Sequence, residues 1–340
     1  MALLEVNNLE VCFGLRKGHV TALHNIDFKL ERGERVGIVG ESGAGKSVLG
    51  FSIINLISQP GYISKGEVLF EGQNLAKMNH QQLRSIRGNR IAMIFQDPMM
   101  TLNPVLTVGD QMTECLLAHR KISKQDARKI ALQKLQQVYI PSPETRLDQY
   151  PHELSGGMRQ RIVIAIGLLM DPDIIIADEP TTALDVTIQA EIMELMLELC
   201  ERNNVALILI THDLGVVSEV TQRTFVMYAG RIIEQGPTKE IINDAQHPYT
   251  QGLINALPQM GIRGQRLSQI RGSMPSLQAM PKGCPFSSRC DYATETCRHV
   301  LPGFTQSGGC LVACHMVEEL KREEELEKQL EKQDSKGAVS

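Results

Sequence analysis

The stretch Gly40-Glu41-Ser42-Gly43-Ala44-Gly45-Lys46-Ser47 decides the reading of this chain, because a glycine, four free positions and Gly-Lys-Ser form a phosphate-binding pattern. Its context agrees. Arg35 to Val39, with apolar Val36, Ile38 and Val39, predicts a buried strand before it, and Ser47 to Ile57 predicts an apolar-faced helix after it. Glycines let backbone N–H groups turn inward onto phosphate oxygens, and the helix N-terminus adds positive partial charge. Lys46 supplies a point charge and Ser47 offers a hydroxyl to Mg²⁺. A glycine-rich turn that only caps a helix is the bland alternative, and the full pattern between strand and helix argues against it.

With 340 residues the chain can bury a large core, and its length predicts one big domain plus an appendage. A net charge of −4 gives no compositional support to a nucleic-acid partner. Apolar runs such as Ile162 to Met170 are too short to span a bilayer, and Met1-Ala2-Leu3-Leu4-Glu5 lacks a basic signal-peptide start, so the expected compartment is the cytosol. Thiols there are reduced, so the eight cysteines are not expected to form a disulfide framework. Cys12, Cys115 and Cys200 read as core fillers, and the other five cluster late.

Working outward, Leu3 to Phe13 and Val20 to Leu30 predict two antiparallel strands joined by a turn at Gly14 to Gly18. Phe13 ends the first, where it either stacks on an adenine ring or fills the core. Gly66 to Gly72 predicts a short edge strand and Arg90 to Phe95 a buried one. Prolines in Gln96-Asp97-Pro98 and Leu102-Asn103-Pro104 expose a polar loop, in which Gln96 is placed to sense a ligand or is simply a loop glutamine. A helical insertion follows from Val108 to Val138, with a capping-box pattern at Ser123-Lys124-Gln125-Asp126, and Pro141 and Pro143 close it.

Leu154-Ser155-Gly156-Gly157 precedes a helical run from Met158 to Met170, so Ser155 and the glycine N–H groups form a second anion nest or a solvated N-cap. One mononucleotide filling both nests of one chain is awkward, whereas two chains head to tail would complete each other's sites. Ile174-Ile175-Ile176-Ala177-Asp178-Glu179 predicts a central parallel strand ending in two acids: Asp178 to hold Mg²⁺ and Glu179 to deprotonate an attacking water. Thr182-Ala183-Leu184-Asp185 opens a helix reaching to about Cys200, and Val205 to Ile210 predicts a buried strand ending at Thr211-His212-Asp213. His212, at a strand end, is either structural or a ligand group.

Taken together these residues resemble the ATP-binding subunits of ABC transporters. Gly40 to Ser47 resembles the Walker A loop, Gln96 the Q-loop, Leu154 to Gly157 the signature, Ile174 to Glu179 the Walker B strand, Thr182 to Asp185 the D-loop, and His212 the switch histidine. The resemblance implies an α/β P-loop NTPase fold of the ABC ATPase type: a mixed sheet core, an antiparallel β subdomain and a helical subdomain near 97–165. It also implies a nucleotide-sandwich dimer. ATP would touch Phe13, Gly40, Glu41, Ser42, Gly43, Ala44, Gly45, Lys46 and Ser47 of one chain and Ser155, Gly156, Gly157 and Asp185 of the other. Mg²⁺ would be held through Ser47, Gln96 and Asp178, and Glu179, His212 and Gln96 would serve catalysis. Met158 departs from the glutamine that many family members carry there, yet Leu154 to Arg161 still resembles the oligopeptide and dipeptide importer branch.

Beyond 240 the chain reads as a Cys-rich extension over 241–316 and a charged tail over 317–340, helical or disordered and solvated. Gly230 to Gly236 reads as a strand turn, and His247-Pro248-Tyr249-Thr250 opens a segment resembling the peptide/nickel importer extension. Cys284, Cys290, Cys297 and Cys314 lack zinc-ribbon spacing; soft thiolates suit iron–sulfur or zinc, and the resemblance implies a [4Fe–4S] cluster, with Cys310 as substitute for Cys314. The implied function is an ATPase energising import of di- or oligopeptides from the cytoplasmic face of the membrane. Two integral permease subunits, a second and related ATP-binding subunit and an extracytoplasmic binding protein are its expected partners. Nickel or another small solute is the alternative cargo, and a soluble ABC ATPase in translation, cluster assembly or DNA repair the alternative class.

Overall fold

The computed structural model describes residues 2–16, 18–182, 184–257 and 269–322. Ala183 of the predicted D-loop and most of the charged tail lie outside the described residues. In chain order the strands are β1 (Leu4–Leu15), β2 (Gly18–Leu30), β3 (Arg35–Val39), β4 (Gly61–Phe70), β5 (Gln73–Asn74), β6 (Ile91–Ile94), β7 (Ile174–Asp178), β8 (Ala206–Thr211), β9 (Arg223–Tyr228), β10 (Arg231–Pro237), β11 (Thr305–Ser307) and β12 (Cys310–Val312). An antiparallel sheet runs β2-β1-β4-β5, and a mixed sheet runs β11-β12-β10-β9-β3-β8-β7-β6. In the latter, β9, β3, β8, β7 and β6 are parallel, while β10, β12 and β11 are antiparallel.

The continuous apolar runs of β7 and β8 follow from burial on both faces. Ile174, Ile176, Ile208 and Ile210 enter one core layer, and Ile175, Ala177, Leu207 and Leu209 enter the other, the two-residue period of a strand. Each fully buried Ile or Leu contributes about 2 kcal/mol. The polar carboxyl ends of β3, β7 and β8 are thereby pinned side by side at one edge of the sheet.

Two sequence expectations are corrected. The helix after the phosphate loop is Lys46–Ile53, not reaching Ile57. Asn55 adopts φ 51°, the left-handed conformation that ends helices, and Leu56 N–H bonds back to Phe51 at 2.7 Å. The predicted edge strand is the end of a longer β4, which begins at Gly61 and lies inside its sheet between β1 and β5. Its first half is largely polar and exposed, so it lacks the apolar alternation that would announce a strand.

The helical insertion forms Pro98–Thr101, Val108–His119, Lys124–Gln137, Pro143–Leu147 and Gly156–Gly167. Ser123 caps as expected, its Oγ accepting from Asp126 N–H at 3.1 Å. Further on, β12 pairs with β10 through Glu234 with Val312 and Gln235 with Leu311, so the late segment extends the mixed sheet. At the start of the tail residues 317–322 are helical, with Val317 and Leu320 buried and Glu318 and Glu319 exposed.

Candidate nucleotide site

The phosphate loop leaves β3 with Gly40, Gly43 and Gly45 at φ 155°, 84° and 100°. A Cβ at Gly40 would stand 2.3 Å from the Met227 carbonyl, so only glycine fits where the loop crosses β9. The helix Lys46–Ile53 has no side-chain cap and no acid in its first turn, leaving its first N–H groups to face an anion. Lys46 is buried at 5% exposure, and its Nζ donates to the carbonyls of Gly40 at 2.8 Å and Glu41 at 3.1 Å. Burial pulls its pKa down, against the opposing pull of Glu179, Asp178 and Glu41.

Ser47 Oγ donates to Asp178 Oδ1 at 3.1 Å. Asp178 is buried, and burial raises its pKa, with Glu179 adding to the rise and the Ser47 hydrogen bond and Lys46 opposing it. Hydroxyl and carboxylate together make a hard-oxygen pair suited to Mg²⁺. Glu179 turns away from Asp178: Oε2 accepts from Gln96 Nε2 at 3.0 Å and Thr182 Oγ1 at 2.8 Å, and Oε1 stands 3.8 Å from Lys46 Nζ and 3.4 Å from His212 Nδ1. Its φ of 46° places a non-glycine residue in the left-handed region, strain of about 1–2 kcal/mol held at a strand end. Gln96 thus rests its amide nitrogen on Glu179.

A cavity of about 690 Å³ joins these parts; Phe13, Glu41, Lys46, Ser47, Gln96, Glu179 and His212 all line it. Phe13 is half-buried on the cavity wall. Ala44 is buried, its carbonyl accepting from Gly230 N–H at 2.9 Å. Ser155 and Asp185 stay with their own helices, capping Met158 N–H at 3.3 Å and Ile188 N–H at 3.0 Å. Ser155, Gly156, Gly157 and Asp185 are not among the residues lining the cavity.

Sequence reading missed what the late segment adds. Leu253 and Leu277 line the cavity, Tyr249 Oη accepts from Glu41 N–H at 2.8 Å, and Arg289 forms a two-pronged ion pair with the Glu41 carboxylate. The only sequence signal is position: both Tyr249 and Arg289 sit inside the His247–Thr250 and Gly283–Cys290 stretches.

All eight cysteines are free. Burial pushes Cys284 up to about 11, and neighbouring Cys290 and Cys297 raise it further. Cys314 is pushed up to about 12 by burial, with Cys284, Cys290 and Cys297 adding to it. Cys310 is also pushed up to about 11, but by burial and the acids Glu234, Glu240 and Asp244. Cys284 and Cys314 thus sit near other thiols of the group, while Cys310 answers to a different neighbourhood. As placed, among the described residues, no group of three or more His, Cys, Asp or Glu side chains forms a metal-holding set. No helix among them is long and apolar enough to cross a membrane.

Residues 23–182 match the ABC transporter family, and residues 233–297 match the oligopeptide/dipeptide transporter C-terminal region. A Bacillus subtilis dipeptide transport ATP-binding protein is 52% identical over 305 residues, covering 89% of this chain and 90% of its own length. An oligopeptide transport ATP-binding protein of the same organism is 50% identical over 295 residues, covering 86% and 82%. Among solved structures, a dimeric ATP-binding cassette in a post-hydrolysis state with ADP and phosphate superposes with a TM-score of 0.62 at 28% identity, over 69% of this chain and 98% of that one.

Proposed function

The chain belongs to the ABC transporter ATPase family and carries its oligopeptide/dipeptide C-terminal region, and from that membership we propose that it binds and hydrolyses ATP to energise import of di- and oligopeptides. The observation that carries this reading is the convergence of the phosphate loop, Lys46 and the Glu179 cluster on one cavity, in a chain that carries the peptide-transporter C-terminal region at 233–297. Lys46 and the N–H groups of the loop grip the phosphates; Ser47, Asp178 and Gln96 would hold Mg²⁺, which would neutralise phosphate charge there. Glu179 orients and deprotonates the attacking water, and His212 reaches the γ-phosphate. Phe13 stacks on the adenine from the cavity wall.

Ser155, Gly156, Gly157 and Asp185, standing off the cavity, act on ATP held by a partner chain. That partner is a second, related ATP-binding subunit; the assembly sits at the cytoplasmic face of the membrane on two permease subunits, which receive substrate from an extracytoplasmic binding protein. The relatives' names favour peptides over nickel as cargo and transport over translation, cluster assembly or repair.

A [4Fe–4S] cluster on Cys284, Cys290, Cys297 and Cys314 belongs to the same reading. Its support is the soft-ligand chemistry of four thiols, with Cys290 and Cys297 near both Cys284 and Cys314, and the separate setting of Cys310; loading would have to draw the sulfurs into a closer set. Bound there it would supply a structural staple, and no step of ATP hydrolysis runs through it.

Co-purification tests the function. The tagged chain is expected to bring down two integral membrane proteins and a second ATPase, and reconstituted vesicles are expected to take up a dipeptide only with ATP. Recovery with ribosomes or DNA, or uptake of nickel but not peptide, overturns the assignment.

A further inference from the structure

Glu41 puts an acid on the phosphate-binding loop, at a residue that lines the cavity that is to receive a highly anionic ligand. A bare carboxylate there would repel the phosphates of such a ligand. The carboxylate is not bare. Arg289 Nη1 donates to Oε2 at 2.6 Å and Nη2 to Oε1 at 2.9 Å, the fork geometry that a guanidinium alone supplies.

Everything around Arg289 is built to keep it there. Its side chain is only 4% exposed. Its remaining N–H groups go to the Arg271 carbonyl at 2.8 Å, the Ile270 carbonyl at 3.4 Å and Tyr228 Oη at 3.3 Å. The guanidinium also lies 5.7 Å from the Tyr228 ring centre and 5.9 Å from that of Phe286. Tyr249 reaches the same loop residue from another side through the Glu41 N–H, and its helix is anchored by buried Glu234, which accepts from Gln246 N–H at 2.7 Å and His247 N–H at 3.1 Å.

We infer that Arg289 is a positioning residue for nucleotide binding: the C-terminal extension supplies, through the Glu41 carboxylate, the countercharge that makes this phosphate loop compatible with a bound nucleoside triphosphate. This rests on the ATP-site reading above. The extension is then part of the site. Arg289 acts without touching the nucleotide, so its loss raises the dissociation constant while leaving the hydrolytic groups Glu179 and Lys46 in place.

The test is Mg–ATP titration of the full-length chain by calorimetry, with turnover at saturating ATP measured alongside. R289M is expected to weaken binding roughly tenfold with turnover at saturation changed less than twofold. Adding E41Q to R289M is expected to recover most of that loss, with R289M and the double variant melting within about 2 °C of each other so that the recovery reads binding and not folding. E41Q alone, which keeps every other hydrogen bond of Arg289, is expected to bind Mg–ATP at least as tightly as the wild type and serves if R289M fails to fold. Unchanged binding in R289M, no recovery in the double variant, or tenfold weaker binding in E41Q overturns the inference. K46A separates the two readings: if it binds Mg–ATP as well as the wild type, the ATP site itself is misplaced.

Discussion

Replacing Glu179 by Gln is the sharpest probe of the hydrolytic mechanism. The substitution changes one oxygen to an amide nitrogen with almost no change of shape. The amide carbonyl can keep the contacts of Oε2 with Gln96 and Thr182, so the side chain has reason to stay where it is. At the Oε1 position an NH₂ group then faces Lys46, 3.8 Å away, and His212, 3.4 Å away, and can no longer take a proton from water. Loss of a positioned general base costs about 10²–10⁴ in turnover, about 3–5 kcal/mol on the barrier. ATP affinity should be equal or tighter, because Lys46 is freed from a competing anion. Phosphate release under saturating ATP measures the first effect; light scattering with and without ATP measures whether the variant accumulates as an ATP-bound dimer. A fall in turnover of less than tenfold, or a loss of ATP affinity in step with turnover, would refute the role of Glu179.

The strain at Glu179 makes a separate expectation: with φ at 46°, E179G should be about 1 kcal/mol more stable than E179A, seen as a higher melting temperature; equal melting would remove the strain argument. His247 is fully buried and its pKa is depressed to about 3, against an ordinary value of about 6.5. Below pH 6.5 the unfolded chain takes up a proton that the folded chain refuses, so stability drains away as pH falls from about 6.5 toward 3, at up to about 1.4 kcal/mol per pH unit. H247N keeps an acceptor for the Tyr249 N–H and should therefore gain on the wild type by about 2 kcal/mol between pH 7.5 and pH 5. A pH-independent difference in denaturant midpoint would contradict it. For the cysteines, anaerobically purified C284S and C314S should lose iron and visible absorption while C310S retains both; stoichiometric zinc without iron would overturn the cluster.

The phosphate loop, the acid-ended strand and the capped helix were legible because each is a local pattern whose chemistry lies within about ten residues. Parallel strands buried on both faces announce themselves as apolar runs, which is why β3, β7 and β8 were placed to within a residue or two. The polar first half of β4 carried no such signal. Phe13 was ambiguous for another reason: its aromatic ring suits a core and a stacking wall equally, and only the neighbouring phosphate loop makes it a wall. Least legible was the Glu41–Arg289 pair, whose members are separated by 248 positions and brought together only by the packing of Tyr228, Tyr249 and Phe286. Cys310 and Cys314, four residues apart, look interchangeable in sequence; β12 carries one beside the acids around β10 and releases the other toward the remaining thiols.

The pairing of β12 with β10 reaches beyond architecture. With β12 in place, the backbone of Glu234 and Gln235 has a partner on each side, β9 on one and Val312 and Leu311 on the other. A chain cut between β10 and β11 would leave the N–H and C=O groups of that strand edge without their partners at Glu234 and Gln235, a template for adding foreign strands. The hairpin therefore works as a guard against self-association, and an ATPase fragment lacking it should precipitate even where its own core is intact.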